Sequence, residues 1–528
     1  MEVKMPGYRK RRRRGNKKKT DESTLRVLIA AAIALALLVA VGLLLWFLVI
    51  SPRIDKPDPI ETTPEVITTE EGETIIVPTD EEDKLPEEVV SLLDTAKRTA
   101  AMYDYDKAIE MITSGVPDYT DYPELTDFLG ECEAKKSQLI KWADNSQITH
   151  IFFHSLIVDN QKAFSSDEAT QYNEVMTTIP EFNEILNQMY ERGFVLVTLY
   201  DMAKIVDRGD GTVGMTYQPI YLPAGKTPFV LSVDDVSYYE YMTGDGFANR
   251  LVIDDDGKVV CEMDMEDGSK VRGAFDVMPI LDEFVEEHPD FSYHGAKGMI
   301  ALTGYNGILG YRTSEIAYGA GDPDWPSAYV YQNPNIEEDR KKATEVANAL
   351  KEDGWIFASH TWGHMDMGKE RDADGKPTPR FYRDTDWWEE EVESLIGPTD
   401  IIIFAYGADI GSWRGYTDDN EMYTYLKEKG FDYYCNVDTS THAWVQLSPT
   451  AGGDGYLRQG RRNLDGMLLF RQAINPDTDI FFDLIDVESV FDPDRPVPVE
   501  GVKLPEDFDA ATWNIHDWIA THKGQETE

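Results

Sequence analysis

Two short stretches carry side chains whose types and spacing suit metal-assisted hydrolysis: Val-Asp-Asp at 233–235 and Ser-His-Thr-Trp-Gly-His at 359–364. His360 and His364 are four residues apart. On one helical turn that spacing directs both imidazoles to the same side, where they can share a cation. Asp235 supplies a third, anionic ligand. Three protein ligands leave positions open for water and substrate, the pattern of a catalytic rather than a structural site. Asp234 is then the general base that takes a proton from the attacking water. Adjacent carboxylates can divide these tasks when one faces the cation and the other the water. Either motif alone is common as a solvated turn or an incidental pair of histidines. Context gives them weight, because both follow apolar runs that read as buried strands and the chain contains only 9 histidines.

The elements that must position these groups begin at Thr149, where strand and helix patterns start to alternate. THIFFHSLIVD reads as a buried strand, EFNEILNQMYERGF as an amphipathic helix, then VLVTL and PFVLSVDD as strands. FDVMPILDEFVEEH, EDRKKATEVANALKEDG, DWWEEEVESLIG and DNEMYTYLKEKG read as helices. They lead into strands at GAKGMIAL, WIFASHTWGH, DIIIFAYG and FDYYCNVD respectively, while GMLLFRQAI and IFFDLID are the last strand candidates. Repeated strand–helix units imply an α/β fold with parallel strands curled or closed inside outer helices, and chemistry at the C-terminal strand ends. Asp234 and Asp235, His360 and Tyr406 all fall at such ends. Two insertions interrupt the alternation: 239–275, whose two Asp-Gly signals predict a hairpin, and 303–336, rich in Gly, Tyr and Pro and read as a long loop.

Upstream of this domain the composition changes sharply. Residues 1–24 form a basic tail, with ten Lys or Arg and one acidic residue by Lys19. Beyond Lys19, 40 basic and 96 acidic residues remain, a balance of −56, which repels nucleic-acid phosphates and argues against a nucleic-acid partner. Residues 25–50 (LRVLIAAAIALALLVAVGLLLWFLVI) carry no charge past Arg26 and are long enough to span a bilayer core of about 30 Å. The Lys/Arg excess before this run places the N-terminus in the cytoplasm and the rest outside the cell membrane. Residues 51–85, rich in Pro, Thr and Glu, read as a disordered linker, 86–147 as a small helical hairpin, and 501–528 as a C-terminal tail. Cys132, Cys261 and Cys435 are far apart and odd in number, so they indicate neither a disulfide framework nor a thiolate zinc site.

In order and flanking sequence, the (V)DD, H(S/T)xxH and FxYG segments, each at the end of a strand, resemble the NodB-type polysaccharide deacetylases, carbohydrate esterase family 4. The similarity covers roughly residues 148–490, within a catalytic domain expected at 148–500, and includes IFFHSL, EFNEILNQMYERGFVLVTLYDMAKI and LKEKGFDYY. The resemblance implies a distorted (β/α) barrel of fewer than eight units. Asp234 would be the base, and Asp235, His360 and His364 would hold a divalent metal, with zinc first and cobalt, nickel or manganese as alternatives. It also implies His154 beside the metal and an oxyanion-holding amide near Ala408. The chain departs from the family in two places. FAYGADIG lacks the usual Arg or Pro-Tyr-Gly, and no Leu-x-His strand supplies a late catalytic acid. His442 is the nearest candidate for that acid, and Arg471 in GMLLFRQAI matches members with an arginine on the last strand.

Tyr406 and Trp362 are candidates for stacking on a sugar ring, with core packing as the alternative for each. Arg458, Arg461 and Arg462 form a basic cluster that could grip an anionic glycan, though pairing with nearby acids is the favoured reading. The expected activity is removal of N-acetyl groups from an extracytoplasmic amino-sugar polymer, peptidoglycan or an exopolysaccharide. The alternatives are an O-acetyl esterase acting on hemicellulose and a non-catalytic glycan-binding envelope protein of the same fold.

Overall fold

The structure, a computed structural model, describes residues 85–209, 211–411, 415–438, 444–447, 455–475, 480–497 and 515–522, with the backbone of two short upstream strands. The chain divides into two compact units, Met1–Lys84 and Leu85–Glu528. In the first, Val66–Thr68 and Thr74–Ile76 pair antiparallel, so the stretch expected to be a disordered linker carries a small hairpin. The expected basic tail and the membrane helix at 25–50 lie outside the described residues. Among the described residues no helix is long and apolar enough to cross a membrane.

In the second unit seven parallel strands close into a ring. In chain order they are β1 (Thr149–Phe153), β2 (Thr227–Val233), β3 (Met299–Leu302), β4 (Ile356–Ser359), β5 (Ile401–Ile403), β6 (Tyr433–Val437) and β7 (Leu457–Asn463). Each pairs with the next, and β7 closes on β1 through Arg462 opposite Ile151 and Asn463 opposite Phe152. The fold is therefore an α/β barrel with one strand fewer than eight. Both faces of these strands are buried, so most read as nearly continuous apolar runs. Side chains alternate with the strand period of two. Val233, Ile300, Leu302, Phe357 and Ile402 pack outward against the helices, while Val230, Ala301, Ala358, Ile401 and Ile403 face a second cluster inside.

The ring is split at two seams, both in the N-terminal halves of strands. Phe194–Leu196 pairs with Thr227–Phe229 of β2, leaving only Ser232 and Val233 to meet β3. Trp444–Leu447 lies antiparallel against Leu457–Gly460 of β7, so β1 reaches β7 only at Arg462 and Asn463. Two extra strands widen the N-terminal mouth, and helices fill it. Three α-helices occupy 86–147, the stretch expected to be a small helical hairpin: α1 (Glu87–Ala101), α2 (Tyr105–Gly115) and α3 (Pro123–Lys136). The first expected helix breaks at Tyr103, whose φ of 67° is left-handed. Leu93, Ile112, Leu125 and Phe128 join the same buried cluster as the inward residues of the barrel. The Tyr103 hydroxyl also donates to the Asp290 carbonyl at 2.6 Å. These helices plug the barrel rather than standing apart from it.

Five outer helices fall close to the expected segments: α4 (Ile179–Glu191), α5 (Val277–Glu287), α6 (Ile336–Glu352), α7 (Pro379–Trp388) and α8 (Glu421–Glu428). The α4 start is a full capping box, with Thr178 and Glu181 exchanging side-chain and backbone bonds. The C-terminal part differs from expectation. GMLLFRQAI is a helix, α9 (Gly466–Ile474), capped by Asp465, and IFFDLID forms turns. The last barrel strand is instead LRQGRRN, whose polar residues hid its period. Within the expected C-terminal tail, α10 (Ile515–His522) buries Ile515, Trp518 and Ile519 in the outer core. The 239–275 insertion forms three antiparallel strands, one more than a hairpin: Arg250–Ile253, Val259–Asp264 and Lys270–Gly273. The 303–336 insertion is irregular apart from short turns such as Glu315–Tyr318.

Candidate metal centre

At the C-terminal mouth the backbone leaves its strands through strained turns. The Asp234 amide donates to Phe153 at 2.8 Å and the His360 amide to Leu302 at 3.0 Å, which anchors both exits to neighbouring strands. Immediately beyond, Asp235, Tyr238, Thr361, His364 and Tyr406 take positive φ values of 48–64°. Such values are uncommon for non-glycine residues and cluster where surrounding structure over-determines them. The His360–His364 spacing therefore works through a turn, not the helical turn expected. That turn is held from outside by Asp384 on α7, whose carboxylate accepts the Trp362 and Gly363 amides at 2.8 and 2.9 Å. Burial raises the Asp384 carboxyl to about 6, although the two amides pull the other way.

The turns bring Asp235, His360 and His364 together, with ligand-capable atoms within 4.8 Å of one another. His360 Nδ1 lies 2.8 Å from the Ile403 carbonyl, which can only accept, so Nδ1 carries a proton and Nε2 is the nitrogen that faces the site. His364 Nε2 is 3.5 Å from Asp235 Oδ2. Burial pushes the His364 imidazolium down, keeping the ring neutral as a ligand must be. Burial alone would push the Asp235 carboxyl up, but the imidazoles of His364, His360 and His154 and the Tyr239 hydroxyl hold it below the usual range. Two imidazoles with one carboxylate fit a divalent cation with open positions.

Asp234 faces the barrel interior and meets Arg461 of β7 in a two-pronged pair, at 2.7 and 2.9 Å. Both side chains are buried. Burial works to raise the Asp234 carboxyl, but Arg461 and His360 outweigh it and hold it at about 2. Behind the pair, Ser232 receives Arg461 at 3.1 Å and meets His150 Nε2 at 2.9 Å. His150 Nδ1 is 3.2 Å from Gln459 Oε1, and the Gln459 amide donates to Ile148. Burial, aided by Arg461, pushes His150 well down, so the network is neutral below the single Asp234–Arg461 pair. Arg458 pairs with Asp409 and Arg462 with Asp483, so all three arginines of β7 meet acids, as favoured from the sequence.

Other expected site residues fare differently. Tyr406 is 70 % exposed, with its ring 4.4 Å from that of His364. His154 lies within electrostatic reach of Asp234 and Asp235, and its buried Nδ1 has no hydrogen-bond partner among the described residues. Trp362 is not available to a sugar: it is 1 % exposed and wedged among Tyr305, Trp325 and Trp387. Its ring packs in the outer core, with Trp387 of α7 at 4.8 Å. Arg471 is exposed on α9 and not on the last strand, which carries Arg458, Arg461 and Arg462 instead. The Ala408 amide is spent on the Ala405 carbonyl at 3.0 Å and is no free oxyanion donor. His442 lies outside the described residues. Sequence reasoning missed Asp384, Tyr239 and His150. Asp384 had one visible signal, an acid among aromatics on the core face of a helix. No family model matches the chain, and no curated protein matches it.

Proposed function

We propose that this protein is a metal-dependent deacetylase of the NodB type, removing N-acetyl groups from an acetylated amino-sugar polymer outside the cell membrane. The observation that carries the reading is the convergence of Asp235, His360 and His364 with Asp234 buried beside them at the C-terminal mouth of the barrel. The run at 25–50 supports single-pass anchoring with the barrel outside.

In this reading Asp234 accepts the proton of the attacking water as the new C–O bond forms. Its basicity is low, so it can act only on a water already acidified, and that acidification, with polarisation of the acetamide carbonyl, is what a divalent cation such as zinc supplies. Arg461 keeps Asp234 ionised and aimed. The proton that Asp234 takes is the one the departing amine needs when the C–N bond breaks. Tyr406, exposed beside His364, offers a face to the sugar ring.

The test is acetate release by the purified, zinc- or cobalt-loaded protein from N-acetylglucosamine oligomers, peptidoglycan and acetylated xylan. Release from the first two supports the proposal, and release from xylan alone would make the enzyme an O-acetyl esterase. Metal bound with no acetate from any glycan would leave a glycan-binding shell.

A further inference from the structure

The aspartate ligand has two oxygens, and the structure gives them different partners. Oδ2 faces His364 Nε2 at 3.5 Å, while Oδ1 receives the Tyr239 hydroxyl at 2.5 Å. Tyr239 Oη also lies 2.9 Å from Thr303 Oγ1, which lies 3.0 Å from Ser237 Oγ. A carboxylate has no proton to give, so the direction of the chain is fixed. Tyr239 donates to Asp235, Thr303 donates to Tyr239, and Ser237 donates to Thr303. Thr303 and Ser237 are fully buried and Tyr239 is 6 % exposed, so water does not compete for these bonds. Each donor in such a chain polarises the next, which strengthens the bond at the carboxylate.

The loop carrying Tyr239 is itself clamped. The Arg312 guanidinium donates to the carbonyls of Ser237 at 3.1 Å, Tyr238 at 2.5 Å and Asn306 at 2.6 Å. The Tyr238 hydroxyl donates to buried Asp276 at 2.7 Å. The Tyr239 ring stacks with those of Tyr241 and Tyr305, each with its centroid 5.5 Å away. Neither the ring nor the backbone is free to withdraw the hydroxyl from Asp235.

From this geometry we infer that Tyr239, backed by Thr303 and Ser237, is a positioning residue that reserves Asp235 Oδ1 and restricts the aspartate to one-oxygen metal ligation through Oδ2. The inference rests on the metal reading of the site. Its consequence is a low protein coordination number. With one atom from each of three side chains, positions stay open for water and an acyl oxygen. An aspartate gripping the cation with both oxygens would close one of them.

The experiment is titration of the metal-free protein with cobalt(II), read by the visible d–d absorption, for wild type, Tyr239→Phe and Thr303→Val. Tyr239→Phe keeps the stacked ring and removes only the donor. It should bind cobalt about 10- to 100-fold more weakly and give weaker, shifted bands as the released Oδ1 joins the metal. Thr303→Val should move both readouts in the same direction by less, and it serves as the test if Tyr239→Phe does not fold. Wild-type affinity and an unaltered spectrum in the folded variants would overturn the inference while leaving the metal site intact. A wild-type protein that binds no cobalt would instead sink the metal reading, and this inference with it.

Discussion

The two mouths of the barrel are closed in opposite ways. At the N-terminal mouth, Ile112, Leu125 and Phe128 share one buried apolar cluster with Val230, Ala301 and Ile401, and regular helices satisfy their own backbone. At the C-terminal mouth, Asp235, Tyr238, Thr361, His364 and Tyr406 hold left-handed backbone, a buried His154 nitrogen has no hydrogen-bond partner among the described residues, and an aspartate pair sits among imidazoles. Apolar burial at one end supplies the stability that strained, charged geometry at the other end costs. The division of labour predicts that substitutions at the two ends separate activity from stability.

The largest effect is expected for Asp234→Asn. It should lower turnover by about 10²- to 10⁴-fold while cobalt still binds, measured by acetate release and metal titration. Loss of cobalt as well would show that the two aspartates hold each other's roles. Ile112→Ala at the opposite mouth should cost about 2–5 kcal/mol of unfolding free energy, with turnover per folded molecule unchanged. If turnover falls and stability does not, the contrast between the ends is broken.

Acid sharpens the same contrast. Asp234 lies at about 2 in the folded protein, below its unfolded value of about 3.9. Its contribution is therefore complete above about pH 4 and lost as pH falls towards 2, a change of about 2 kcal/mol. Urea unfolding of wild type and Asp234→Asn at pH 5 and pH 2.5 should show the gap between them narrowing by about that amount. A constant gap would mean Arg461 does not depress the carboxyl. The smallest effect is expected for Asp384→Asn, which weakens the cradle of the histidine turn. It should loosen cobalt binding about tenfold and leave the unfolding midpoint near that of wild type. Unchanged affinity would show that the turn holds its own shape.

The side chains that meet at the candidate metal site were legible in the sequence because Asp235 and His360 stand just after apolar strands. The strand ends of β2 and β4 could be read from PFVLSV and WIFAS. What positions them was not legible. Asp384 and Tyr239 act through turns whose geometry has no periodic signature, and the helical reading of HTWGH failed because Thr361 and His364 adopt positive φ. β7 was missed for a different reason. A strand whose inward residues are Gln459 and Arg461 shows no apolar alternation, and only long-range partners such as Asp234 make it a barrel strand. GMLLFRQAI was misread as a strand because a short apolar run does not by itself distinguish a helix from a strand.

The plug at the wide mouth also sets an order of events during synthesis. Helices α1 to α3 leave the ribosome before any barrel strand, carrying Leu93, Ile112 and Leu125, yet part of the cluster that buries them comes from Tyr433, Cys435 and Leu457, hundreds of residues downstream. The ring cannot shut until β7 arrives to meet β1. The nascent chain therefore carries an uncovered greasy face through most of its translation, and its yield depends on what shields that face until the last strand docks.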